Sequence, residues 1–386
     1  MAKLNNRFWF RLHGWFSLPV WVLFCFICVT GTIAVISHEL TWLTNANARA
    51  SNPDNLPMLS AAQVVEKVTD AYPGADVSGV IILEPYLVQQ VMFADADKPY
   101  AVAYVNPYSG AIQEVNDGNT FINFMRALHS WLLFPWQHNF SVGYYLVCCM
   151  AIVMLGAVVT GMLVYKKFWR AMLSCKVRYN QGSRTLLTDL HRQCGVWSIW
   201  FLLVMSLTGL FYFAQAILWH ADIEIDPWPK PLAADMMPLT AGESADWPVK
   251  LADALTITQQ QYPGFQPSYI LLPEHNRDTF KLAGHLDELF YDQYSYGTAI
   301  NPWSGAIEQQ LQPDQMNGLQ TLMHIADPLH FGTVGGLATK LIWFVFGLIV
   351  SGMSITGFLI WRGRLLKASQ PRSVQTETLP EVSHGA

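Results

Sequence analysis

The sequence predicts an internally duplicated α-helical membrane protein, with four transmembrane helices carrying two α+β domains on the outer side. Three observations carry that prediction. Charged residues make up 13% and hydrophobic residues 52% of the 386 positions, against a charged share of about 25% in soluble domains. Four uncharged runs are each long enough to cross a hydrocarbon core of about 30 Å as a helix. The phrase VNPYSGAI at 105–112 also returns as INPWSGAI at 300–307.

The uncharged runs are 15–37, 140–165, 196–219 and 341–361. The first is too long for the apolar core of a signal peptide, and no A-x-A-like cleavage site follows it. Basic residues gather at the amino end (Lys3, Arg7, Arg11), in the 166–192 connection (Lys166, Lys167, Arg170, Lys176, Arg178, Arg184, Arg192) and at the carboxyl end (Arg362, Arg364, Lys367, Arg372). By the positive-inside rule, both termini and that connection are cytoplasmic. The expected order is transmembrane helix 1 (1–38), a first outer domain with an interfacial helix (39–139), helix 2 (140–165) and the cytoplasmic connection (166–192). Helix 3 (193–219), a second outer domain with its interfacial helix (220–338), helix 4 (339–362) and a polar cytoplasmic tail (363–386) follow; His384 in the tail is given no role.

The two outer segments hold eight Lys/Arg against twenty-five Asp/Glu. An acidic exterior draws cations and argues against nucleic acid as a partner. Glu39, Asp222, Glu224 and Asp226, just outside helices 1 and 3, read as solvated surface charges. None of the six cysteines falls in the outer segments, so no disulfide framework holds them. Cys25 and Cys28 have C-x-x-C spacing, but they lie mid-helix with no histidine following, which argues against covalent haem attachment.

The repeat runs through the whole chain. AYPG at 71–74 returns as QYPG at 261–264, an offset of 190. Leu12, His13, Thr30 and Gly31 match Leu190, His191, Thr208 and Gly209 at an offset of 178, and Thr160-Gly161 matches Thr356-Gly357 at 196. The order is kept, so the unit of helix, outer domain and helix occurs twice, and repeat interfaces in membrane proteins tend to build the site. Each outer domain reads as a helix, such as 59–72, followed by strands at 78–83, 87–93 and 100–105, a turn, and a closing strand. In the repeated turn Asn-Pro starts the reversal and Ser-Gly supplies the positive-φ position.

Leu-His at the starts of helices, Thr-Gly inside them, and YPG and NPxSGAI in the soluble parts resemble the PepSY-associated transmembrane family over about residues 8–365. The resemblance implies two PepSY-like periplasmic domains and a bacterial inner (cytoplasmic) membrane location. Through ferric-siderophore reductases of the FoxB type, it also implies two haems and an oxidoreductase that reduces ferric siderophore iron in the periplasm, releasing Fe(II).

His13 and His191 occupy matched columns, so two imidazoles on one side of the bundle can face each other and hold one iron axially, as haem b requires. Gly14, Gly195, Gly31 and Gly209 would leave room for a flat macrocycle. On the outer side, the family pattern pairs Leu128-His129 with Leu329-His330 for a second haem at the interface. Distance to the Thr-Gly landmark instead pairs His129 with His324, which stays the alternate; His38, matched by Ala216, is a further substitute. The expected cofactors are therefore two non-covalent, bis-histidine haem b groups. Zinc fits poorly, since there is no H-E-x-x-H and no outer cysteine. No nucleotide-binding motif occurs, and the cytoplasmic connection is too short for a flavin or nicotinamide domain, which leaves membrane quinol or a separate cytoplasmic reductase as donor. A permease and a haem-free PepSY binding or regulatory module are the rival readings. The permease is disfavoured because no charge interrupts a span and Pro19 lies near a helix start.

Overall fold

The computed structural model describes residues 6–165, 168–174, 176–226, 229–233, 236 and 247–368; the expectations for Lys3, Lys166, Lys167, Cys175, Arg372 and His384 lie outside them. The first apolar run is not one straight helix. α1 (Asn6–Ser17) and α2 (Trp21–Val35) meet at 66°. Pro19 lies in the break, and without an N–H it cannot continue the hydrogen-bond ladder. α3 (Ser37–Thr44) leads into α4 (Ala61–Ala71), β1 (Asp76–Ile81), β2 (Gln89–Ala94), β3 (Ala101–Val105) and β4 (Ile112–Asn116). Ser60 and Gln63 cap α4 reciprocally, satisfying two of its free amide donors.

α5 (Phe121–Trp131) returns to the bundle and α6 (Val142–Val164) runs through it. A short α7 (Phe168–Leu173) precedes α8 (Ser183–Trp197), which breaks at Ser198 before α9 (Ile199–His220). The apolar span of the third helix is thus α9, while α8 is a separate helix over residues read as the cytoplasmic connection and the start of helix 3. The second half then repeats the first: α10 (Leu251–Gln261), β5 (Gln266–Leu271), β6 (Phe280–His285), β7 (Tyr296–Ile300), β8 (Ile307–Leu311), α11 (Gly318–Phe331) and α12 (Gly336–Ala368). Among the described residues three helices, α6, α9 and α12, are long and apolar enough to cross a membrane, or four spans if the bent α1–α2 pair counts as one. This is a membrane protein with an antiparallel sheet.

All eight strands form one antiparallel sheet in the order β4-β3-β2-β1-β5-β6-β7-β8. The two outer segments are therefore joined edge to edge in one continuous sheet, four strands from each. The junction is β1 against β5, with Val80 opposite Ile270. Those two residues are 190 apart, the offset of the YPG repeat, so each is the other's equivalent and a pseudo-two-fold axis passes between them. α4 and α10 cover one face, burying Val64, Val68 and Ala254 against Val80, Val91, Ile270 and Leu282; each fully buried Val, Leu or Ile contributes about 1.5–3 kcal/mol. On the other face Met92, Val102 and Tyr104 pack with Leu87, Val88 and Ile122 of α5.

The repeated turn has one geometry in both halves. Asn106 Oδ1 accepts from the amides of Tyr108 (2.9 Å) and Ser109 (3.2 Å), and Asn301 Oδ1 does so from Trp303 (2.9 Å) and Ser304 (3.3 Å). Gly110 and Gly305 then take φ of 72° and 74°, which a side chain would resist. The bundle interlocks the halves: α2 packs on α12 and α6 on α9, while α1 packs on α6, α8 on α12, α5 on α2 and α11 on α9.

Candidate functional site

The site is built from the four Thr-Gly pairs. Each threonine lies inside a helix and donates its hydroxyl proton to a main-chain carbonyl in the preceding turn: Thr30 to Phe26 (3.0 Å), Thr160 to Gly156 (2.6 Å), Thr208 to Val204 (2.8 Å) and Thr356 to Met353 (3.1 Å). With that proton committed, the oxygen can only accept. Each one faces a histidine Nδ1: His129 at 3.3 Å from Thr30, His13 at 3.1 Å from Thr160, His330 at 2.8 Å from Thr208 and His191 at 3.1 Å from Thr356. The Nδ1 atoms of His13 and His191 also reach the carbonyls of Ala157 (3.0 Å) and Met353 (3.1 Å). These partners assign the proton to Nδ1, so every Nε2 keeps its lone pair for a ligand.

The glycines of the Thr-Gly pairs sit beside the rings or between helices. A Cβ on Gly31 would lie 2.6 Å from His129 Cε1, so that glycine makes space for the ring; a Cβ on Gly161 or Gly357 would come within 3.5 Å of His13 Cε1 or 3.2 Å of His191 Cε1. A Cβ on Gly209 would instead lie 2.8 Å from Ala151 Cβ, so this glycine lets α9 approach α6, while a Cβ on Gly14 or Gly195 would meet Leu18 or Met353.

The seated rings come together in two pairs, each with one member from each half. His13 of α1 and His191 of α8 have ring centroids 6.4 Å apart with planes at 78°. His129 of α5 and His330 of α11 are also 6.4 Å apart, with planes at 35°. The first pair lies against the last turns of α6, away from the sheet. The second lies against Thr30 within α2 and Thr208 within α9, because α5 packs on α2 and α11 on α9. A sequence model of the PepSY-associated TM region matches residues 10–364, which takes in all four histidines and both outer segments.

The chain belongs to the PepSY-associated TM family. No curated protein matches it.

In this PepSY-associated chain the two alternate histidines are otherwise engaged. His324 is 3% exposed, with Nε2 2.7 Å from Asp226 and Nδ1 2.8 Å from Asp292. Burial alone would lower its pKa, but the hydrogen bonds to Asp226 and Asp292 outweigh that and hold it up at about 9. A doubly bonded imidazolium has no lone pair for a metal. His38 Nδ1 lies 3.0 Å from Glu84 Oε1. Glu84 and Glu39 both contact Lys340 of α12, whose side chain is 5% exposed, and the Tyr86 hydroxyl donates to Glu39 at 2.8 Å. Burial works to raise the Glu84 pKa, yet His38 and Lys340 bring it below its ordinary value. Glu39 and Asp226 are thus members of partly buried networks rather than solvated charges, and Asp222 accepts from Asn139 at 3.0 Å.

The sequence displayed the Thr-Gly repeats and the histidine columns but not their joining, since each contact spans 99 to 165 residues. Among the described residues no three His, Cys, Asp or Glu side chains converge as metal ligands. Any metal at these pairs would have two protein ligands.

Proposed function

We propose that the chain is an inner-membrane di-haem electron-transfer protein that reduces ferric siderophore iron in the periplasm and releases Fe(II). One observation supports this most directly: two histidine pairs, drawn from the two halves of a duplication and set at different depths of one bundle, share a 6.4 Å centroid spacing.

The donor set fits the cofactor. A metal held by two imidazole nitrogens at about 2 Å each brings the ring centroids to about 6 Å, close to the spacing of both pairs. Two imidazoles underfill the coordination of a bare ion, whereas haem would bring further nitrogen donors of its own. A hydrogen-bonded Nδ1 on each ring is the arrangement of a metal-ligating histidine. His13 and His191 would hold one haem b, and His129 and His330 the other. When bound, the haems supply one-electron redox chemistry at two depths of an insulating layer.

The chain's own residues do the rest. The four threonines fix the tautomer and orientation of the ligands, and the bundle keeps water from them. The acidic outer segments favour approach of a cationic ferric chelate. One electron converts the chelated Fe(III) to Fe(II), which oxygen donors hold less tightly, and the iron leaves. Because the sequence carries no nucleotide-binding motif, membrane quinol or a separate cytoplasmic reductase would deliver the electron at the His13–His191 end.

The test is haem per chain in detergent-purified protein, read from oxidised and dithionite-reduced visible spectra. Two b-type haems per chain, reoxidised on adding a ferric siderophore, are expected. No haem in folded protein from iron-replete cells would overturn the proposal and put the haem-free binding module in its place.

A further inference from the structure

The outer segments contain three arginines, and two are tied down. Arg49 donates to the carbonyls of Trp42 (2.6 Å) and Leu43 (2.9 Å), and Arg277 to that of Leu232 (2.7 Å). Arg126 is exposed, and its guanidinium makes no hydrogen bond or ion pair among the described residues. This happens in segments with twenty-five acidic residues, where a carboxylate partner would be easy to find. The nearby carboxylates already have partners: Asp292 bonds His324, and Asp327 accepts from the Tyr212 hydroxyl at 2.7 Å.

Its position is specific. Arg126 precedes His129 by three residues on α5, and Asp327 precedes His330 by three on α11, so each lies one turn from its histidine on the same helical face. The two halves therefore place opposite charges at one duplicated column beside the His129–His330 pair. The charge of Arg126 reaches the same place. Arg126 acts electrostatically on Asp327 and Tyr294, and the Tyr212 ring that holds Asp327 lies 5.1 Å from that of His330.

We infer that Arg126 is an anion-binding residue of this site, taking a carboxylate or similar oxygen anion of the group that occupies it. A guanidinium matches a carboxylate with two parallel hydrogen bonds. The inference rests on the haem reading above and deepens it. The anion has two possible sources, a carboxylate side chain of the cofactor or an anionic oxygen of the ferric chelate.

The experiment uses the full chain with Arg126→Gln and Arg126→Lys, following haem content, both midpoint potentials, and KM for two probes. The probes are the ferric complex of a carboxylate-bearing trihydroxamate and of its methyl ester. If the anion is the cofactor's, Arg126→Gln lowers one midpoint or sheds one haem, because a nearby cation disfavours the oxidised, more positive iron; KM stays the same. If it belongs to the chelate, haem and potentials are unchanged while KM for the carboxylate probe rises about tenfold, or 1.4 kcal/mol, and the ester is unaffected. Arg126→Lys partly restores either property. Arg126→Gln identical to a two-haem wild type in all three readouts would overturn the inference and leave the parent reading standing. A wild type without haem would sink the parent reading, and unchanged binding of both probes by Arg126→Gln would then overturn this one as well.

Discussion

The Thr208 oxygen lies 2.8 Å from His330 Nδ1, the shortest of the four threonine–histidine contacts, and it has no proton left to give. Thr208→Val keeps the shape and removes the acceptor, freeing the ring to rotate and change tautomer. Loss of such an outer-shell partner costs about 10–100-fold in metal affinity. Transfer of haem to a scavenging globin should speed up by that factor in Thr208→Val and stay near wild type in Thr208→Ser.

The pairing of columns predicts selective losses. His13→Ala or His191→Ala should each remove one haem and leave the other, and His129→Ala or His330→Ala should do the converse. His324→Ala should keep both. Haem content with low-temperature spectra of each variant reads this out; a haem lost with His324 and kept without His330 would reverse the assignment.

Gly31→Ala tests the seat from the opposite side. Its methyl group would come within 2.6 Å of the His129 ring, below any ordinary contact, so the ring must move. The variant should fold, retain the His13–His191 haem and lose or shift the spectrum of the other.

His324 makes the stability depend on pH. Its folded pKa of about 9 lies above an unfolded value near 6.5. The stabilisation is therefore fully present below about pH 6.5 and is lost as pH rises through about 9. The shift corresponds to about 3 kcal/mol. The thermal midpoint of wild type minus that of His324→Gln, measured in detergent from pH 6 to 10, should shrink across this window; a flat difference would show that the Asp226–His324–Asp292 chain is not held as an imidazolium.

Lys340 is the cation of the network joining α12 to α3 and the β1–β2 loop. Lys340→Met would leave Glu39 and Glu84 without their buried cation but still bonded by Tyr86 and His38, so the cost should fall below that of an uncompensated buried charge, about 3–5 kcal/mol. Glu84→Gln in the same chain should recover part of that, since it removes one of the two charges. Urea unfolding followed by tryptophan fluorescence measures both.

Much of this arrangement was legible in the sequence because it is local or repeated. The apolar runs, the NPxSGAI turns and the matched columns of His13 and His191 depend on composition and spacing. The break between α1 and α2 was not read, because the uncharged run 15–37 looked like one helix around Pro19 and hid the 66° bend. That His330 rather than His324 meets His129 was hidden, since His324 is held by Asp226 and Asp292, residues 98 and 32 positions away. The β1–β5 pairing was equally hidden, because alternation along a strand says which face is buried and nothing about which edge finds a partner. Lys340 sits one residue before a charge-free run, where its burial against Glu39 and Glu84 has no local signal.

The meeting of Val80 with Ile270 across the sheet has a consequence for ancestry. An antiparallel contact of a strand with its own equivalent is how two identical subunits join around a dyad, and each histidine pair is likewise made of equivalents. Half of this chain would own one imidazole of each pair and complete neither, so a half-length forebear would need a second copy of itself. Fusion into one polypeptide released the two copies from having to be the same. Arg126 opposite Asp327, and His38 where the other half has Ala216, are the marks of that freedom.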